Sequence, residues 1–147
     1  MIRKSTAIWK GSGKEGSGTL SSNSGVLNDT PYAFATRFLS EDGKAGTNPE
    51  ELIAAAHAGC FSMALSFQLS GSGYVPAKLE TEAQLKMENV SGQWKIMSIH
   101  LVLKADVANI SEEKFNQLAE NAKMNCPVSQ ALSAISLTLS FTLNNAL

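Results

Sequence analysis

The sequence predicts an α+β chain with mainly antiparallel sheets around one long buried helix, and three observations carry that class. The stretch from Thr47 to Phe67 is apolar or small on nearly every helical face, where a surface helix would show a single apolar stripe. Residues 79–88 and 135–143 alternate apolar and polar side chains with the period of a half-buried strand. Between them, Phe115, Leu118, Ala119 and Ala122 recur at the spacing of one helical face.

Taken in order, residues 5–10 read as a short strand, residues 11–18 as a Gly/Ser/Lys turn region and residues 17–22 as a second strand. Residues 32–38 alternate aromatic or basic with small side chains and suit a third strand, on which Arg37 stands alone among apolar neighbours. A polar loop over residues 40–46 leads to the central helix. Asn48 is a good N-cap there, Pro49 is pre-set for the first helical position, and Glu51 completes a capping-box spacing. The helix fades at Ser70-Gly71-Ser72-Gly73. Its length would also suit a bilayer span, but Gly59, Ser62, Ser66 and His57, with Glu50 and Glu51, favour a soluble core helix.

The alternating strand over residues 79–88 turns at Ser91-Gly92, and Met97, Ile99, Leu101 and Leu103 mark the return strand. Ser111 caps a second helix whose first turn carries Glu112 and Glu113, favourable against the helix dipole. Cys126-Pro127 interrupts that helix, and Pro127 can open a short new one through Val128 to Leu132. Ile135, Leu137, Leu139, Phe141 and Leu143 then form a last strand. Neither a repeat nor a linker is visible, so residues 1–147 read as one domain. A helix apolar on all faces needs cover on all sides, and one small sheet with one amphipathic helix supplies about half of it. The rest is expected from a second copy of the chain, in an interlocked homodimer.

A formal net charge of −1 leaves no electrostatic footprint for nucleic acid or an anionic membrane. The first residues contain no apolar signal region, which points to the cytoplasm. Two cysteines, 66 residues apart, are too few for a disulfide scaffold. In a reducing compartment they are catalytic, metal-binding or merely buried thiols.

Cys60 lies inside the central helix. It is either a small buried hydrophobe or an activated nucleophile. Activation needs a lowered pKa, and the helix dipole cannot supply it. Cys60 lies about 18 Å along the helix, whereas the dipole effect fades within the first turn. A nearby cation is therefore required, and an arginine on an apolar strand is costly to bury, so Arg37 leads. A cation within about 4–6 Å lowers a thiol pKa by about one to three units. The alternative is an arginine whose stem packs and whose head reaches water. His57, one turn before Cys60, is a base, a metal ligand or a core residue; with no further Cys/His pair at ligand spacing, a core or orienting role fits better than a metal. Cys126, at the helix break, suits a resolving thiol that attacks an oxidised partner, or else an N-cap thiol with no partner.

Thr47-Asn48-Pro49-Glu50-Glu51-Leu52, the run Ala55-Ala56-His57-Ala58-Gly59-Cys60-Phe61-Ser62-Met63-Ala64-Leu65 and Cys126-Pro127-Val128-Ser129 closely resemble the OsmC/Ohr family of thiol peroxidases. Gly25-Val26-Leu27-Asn28, Pro31-Tyr32 and Thr36-Arg37-Phe38 resemble its OsmC branch. The resemblance runs over essentially the whole chain. It implies an OsmC-like homodimeric fold and a role in oxidative or osmotic stress defence. By that analogy Cys60 attacks the O–O bond of an organic hydroperoxide, or of hydrogen peroxide, and becomes a sulfenic acid. Cys126 condenses with it to a disulfide, and a dithiol reductant, a lipoylated protein by analogy with relatives, reopens it. Arg37 would hold Cys60 as thiolate, Glu50 would orient Arg37 through a bidentate pair, and no metal or organic cofactor is expected.

Glu50 and Cys60 are ten residues apart, hence about 15 Å along a straight helix and facing different directions. If Glu50 serves Cys60, either the helix breaks between them or Glu50 comes from the other chain. The unfilled faces of the helix favour the second. The alternative function is a redox-sensing or ligand-binding stress protein that keeps the fold without turnover.

Overall fold

The computed structural model describes residues 1–146. The chain forms two compact units, Met1–Leu52 and Ile53–Leu147, with the boundary inside the central helix.

In the first unit, β1 (Ser5–Lys10), β2 (Ser17–Ser22) and β3 (Thr30–Ala33) make an antiparallel meander in the order β1-β2-β3. Gly18 is required where β2 is flanked by both neighbours: a Cβ there would meet the Ile8 carbonyl oxygen at 2.1 Å and the Tyr32 ring at 2.8 Å. The strand expected over residues 32–38 is corrected: it ends at Ala33, and Phe34–Phe38 form a short helix, α1. The cause is Thr36, whose hydroxyl accepts from the Ala33 N–H at 3.0 Å and donates to the Ala33 carbonyl, curling the chain back on itself. Alternating aromatic and small residues suit one helical turn equally well. Phe34 and Phe38 then lie one turn apart with ring centroids at 4.7 Å.

The central helix, α2, runs unbroken over Pro49–Gly71. Asn48 caps it, its side-chain oxygen accepting from the Glu51 N–H at 2.8 Å, while the Thr47 hydroxyl donates to the Glu51 carboxylate.

In the second unit, β4 (Lys78–Val90) pairs antiparallel with β5 (Gln93–Asp106). Ser91 and Gly92 both take positive φ between them, the two-residue turn whose twist suits a hairpin. A bulge leaves Met97 without a cross-strand partner, which is why this residue faces outward while Ile99, Leu101 and Leu103 face the core. α3 (Glu112–Asn125) starts at Ser111, whose hydroxyl accepts from the Lys114 N–H, and buries Phe115, Leu118, Ala119 and Ala122. α4 (Pro127–Ala131) follows at once, with Pro127 at its first position. β6 (Ser136–Asn144) then pairs with β5 in parallel, an exception to the mainly antiparallel expectation. The α3–α4 crossover, rather than a hairpin, returns the chain in the same direction.

A single chain covers only part of α2, as the sequence leads one to expect. Within one chain only His57, Phe61, Leu65 and Leu69 are buried, a single stripe packed with Ile99, Leu101 and Leu103. Met63 and Phe67 remain 65% and 74% exposed. The helix is long and apolar enough to cross a membrane by length and composition, yet its buried stripe belongs to the core of a sheet-and-helix unit.

Candidate active site

Within the second unit, one turn of α2 faces the junction between α3 and α4. Cys60 lies half-buried on α2, and Cys126 is fully buried at the residue where α3 ends and α4 begins. Both thiols are free, and the Cys126 thiol donates to the Cys60 sulfur across 2.8 Å. Local geometry explains the second thiol's place. Pro127 cannot continue α3, so the chain turns at Cys126 and restarts. The Cys126 carbonyl accepts from the Gln130 N–H, and the Val128 N–H, one of the donors that a helix start leaves unpaired, bonds the Cys60 sulfur.

Burial pushes the Cys60 thiol above its ordinary pKa, and the Cys126 thiol beside it pushes the same way; the Val128 N–H pulls it down without reversing the balance. As a reduced pair the two sulfurs are placed for thiol–disulfide chemistry, with Cys60 the more accessible.

His57 is fully buried one turn before Cys60, and its Nε2 is 2.8 Å from the Ser129 hydroxyl. Burial holds the imidazole below its ordinary pKa, so it is neutral at neutral pH. Ser129 is a residue that sequence reasoning did not single out. Its only signal was its place in Cys126-Pro127-Val128-Ser129, since a lone serine has no periodicity to betray a buried partner. Among the described residues no cluster of three or more His, Cys, Asp or Glu side chains could hold a metal ion.

Within the first unit, Arg37 and Glu50 form a forked ion pair. Arg37 Nε donates to both Glu50 oxygens at 3.1 Å and Nη2 donates to Oε1 at 2.6 Å. The Arg37 guanidinium also lies 4.9 Å from the centre of the Phe38 ring. Beside this pair is a pocket of about 220 Å³ lined by Trp9, Tyr32, Phe34, Arg37, Phe38 and Pro49. It offers one cationic group against apolar and aromatic walls. The four site residues expected from the sequence thus fall into two bonded pairs, Arg37 with Glu50 in the first unit and Cys60 with Cys126 in the second.

The family model described as OsmC-like protein matches residues 41–140. The chain is 45% identical over 143 residues to Peroxiredoxin OsmC of Escherichia coli K12, covering 97% of each. It is 29% identical over 115 residues to the organic hydroperoxide resistance protein OhrB of Bacillus subtilis, covering 78% of this chain and 80% of that protein. The crystal structure of that OhrB superposes with a TM-score of 0.72 over 95% of this chain and 98% of the other. An OsmC-like protein from Vibrio cholerae, at 13% identity, shares the fold with a TM-score of 0.76 over 97% and 99% of the two chains.

Proposed function

The chain belongs to the OsmC family and is a cysteine-based hydroperoxide peroxidase, and from that premise we propose a cycle run by Cys60, Cys126, Arg37 and Glu50. The carrying observation is the pair of reduced sulfurs 2.8 Å apart, one accessible and one buried. The Cys60 thiolate attacks the distal peroxide oxygen and the O–O bond breaks. The leaving alkoxide takes up a proton and departs as an alcohol, and Cys60 is left as a sulfenic acid. The Cys126 sulfur then displaces the sulfenic hydroxyl, giving a disulfide and water. A dithiol reductant opens the disulfide by exchange and leaves as its own cyclic disulfide. A lipoyl group has that chemistry, and we assign the reductant to a lipoylated protein. Two free thiols fit the reducing cytoplasm, where we place the protein in oxidative or osmotic stress defence.

Arg37 is the cation that lowers the Cys60 pKa against the burial that raises it, and Glu50 fixes the guanidinium by its fork. That α2 is one helix over Pro49–Gly71, with Glu50 and Cys60 ten residues apart on it, supports a site that draws on a second chain. We therefore assign Cys60 the partner subunit's Arg37 and the partner subunit's Glu50, in a site shared across a homodimer. The whole chain, 1–147, acts as one functional domain. The unpartnered face of α2 supports this: Ala56, Gly59, Met63 and Phe67 lie exposed along one side, small residues followed by large apolar ones. The aromatic pocket beside Arg37 favours alkyl and aryl hydroperoxides over hydrogen peroxide.

Two measurements test this reading. Reduced protein given one equivalent of cumene hydroperoxide should lose both free thiols within a single chain, release the alcohol, and recover both thiols with dihydrolipoamide; retention of two thiols refutes the cycle. Met63→Glu combined with Phe67→Glu should convert a dimer to monomers in sedimentation and abolish turnover, because two carboxylates would have to be buried. A double variant that stays dimeric refutes the role of this face.

A further inference from the structure

We propose that His57 and Ser129 are a positioning pair that seats the α3–α4 junction on α2 and so sets the geometry in which Cys126 resolves oxidised Cys60. The proposal rests on the reading of Cys126 as the resolving thiol. Three observations carry it. First, the two bonds run side by side between the same two segments. Cys60 meets Cys126 at 2.8 Å, and three residues earlier on one segment and three later on the other His57 meets Ser129 at 2.8 Å. Second, Ser129 is the one buried residue of α4, whose Pro127, Gln130 and Ala131 are exposed. Val128 is half-buried and the flanking Leu132 packs against the core, so the apolar contacts seat the short helix and Ser129 supplies its one buried polar contact. Third, His57 and Ser129 are the buried polar side chains among the described residues, and each finds the other. His57 Nδ1 has no hydrogen-bonding partner among the described residues, so the Ser129 bond is the imidazole's polar anchor.

An apolar pair would fill this space without the cost of burying two polar groups. What the polar pair adds is direction: a hydrogen bond fixes which turn of α4 faces which turn of α2, and apolar contact does not. That matters most in the resolving step. The Cys126 sulfur must approach the Cys60 sulfur opposite the departing hydroxyl, so that the S–S bond forms as the S–O bond breaks and water leaves. A junction free to shift by an ångström loses that line of attack while leaving Cys60 open to peroxide. The first chemical step needs neither His57 nor Ser129.

The test separates the two steps in single turnover on the full-length protein. One reaction follows the loss of peroxide as the sulfenic acid forms, and the other follows loss of the second thiol as the disulfide closes. Ser129→Ala should consume peroxide within about twofold of the wild-type rate but close the disulfide about tenfold more slowly, the scale of one lost buried hydrogen bond. The delayed sulfenic acid should then be trapped by dimedone and over-oxidised to sulfinic acid at excess peroxide. Ser129→Thr, which keeps the hydroxyl, should restore closure. His57→Gln, which keeps a polar atom near the Nε2 position, is the second variant if alanine at 129 unsettles the fold. Closure at the wild-type rate in Ser129→Ala overturns the proposal, and so does equal slowing of both steps. Wild-type protein that consumes peroxide without ever closing the disulfide overturns the resolving role of Cys126 itself, and the proposal with it.

Discussion

Cys60→Ser is expected to be inert toward hydroperoxide, while Cys126→Ser should consume about one equivalent and then stop. The asymmetry follows from the two positions. Cys60 is half-buried, whereas Cys126 is fully buried at the helix junction with its thiol against the Cys60 sulfur. Removing the nucleophile leaves no group to take the peroxide oxygen, so the rate should fall on the order of 10³-fold or more, as losses of catalytic nucleophiles do. In the proposed cycle, removing Cys126 leaves the first step intact and strands the sulfenic acid. Peroxide consumption per subunit, followed with and without dihydrolipoamide, distinguishes the two. Wild-type turnover in Cys60→Ser would refute the assignment of Cys60 as the group that takes the peroxide oxygen.

The second large effect is expected at Arg37. Burial and the neighbouring Cys126 thiol both raise the Cys60 pKa, and the Val128 N–H only partly opposes them. The thiolate is the reactive form, so on these terms alone the rate at neutral pH would be small and would climb into the alkaline range. A guanidinium brought within about 4–6 Å pulls the other way, by about one to three units. Arg37→Met should therefore move the midpoint of the pH–rate profile upward by that amount, with the rate at pH 7 falling about tenfold per unit. Glu50→Gln should act in the same direction but less, since it loosens the fork without removing the cation. Alkylation of Cys60 by iodoacetamide as a function of pH reads the shift directly, and an unmoved midpoint removes Arg37 from the site. Co-expression of Cys60→Ser with Arg37→Met chains asks whether the site is shared. A mixed dimer would combine one chain's Cys60 with the other chain's Arg37 in one of its two sites and recover activity. Arg37 acting on its own chain's Cys60 leaves the mixture at the low Arg37→Met rate.

Much of this molecule is legible in its residues because local physics and tertiary context agree there. Strict period-two alternation over residues 79–88 and 135–143 can be satisfied only by strands with one covered face, and both are found as such. Ser111, Asn48 and Pro127 sit where unpaired helix-end groups need them, and the helices start accordingly. Residues 32–38 failed the same test because their pattern satisfies two periods at once over a short span. Thr36, bonding back to Ala33 and to the Thr47 carbonyl, decided between them. The parallel pairing of β6 was equally hidden, since alternation specifies a strand's faces and not its direction.

At the candidate site the division is sharper. Residue order alone carries the fold class, the family resemblance, the two thiols and the expectation of a cation that the helix dipole cannot replace. These rest on residue type, on spacing and on the short reach of a helix dipole. The fold brings Cys126 to Cys60 across 66 residues of chain and Arg37 to Glu50, two pairings the resemblance had implied, and adds that Val128 offers its N–H to the Cys60 sulfur and that Arg37 reaches Glu50 from a helix turn rather than a strand. It alone paired His57 with Ser129, 72 residues away. The physical reason is common to all four. Each depends on which surfaces two distant segments bring together when their apolar faces are buried, and no local periodicity carries that information.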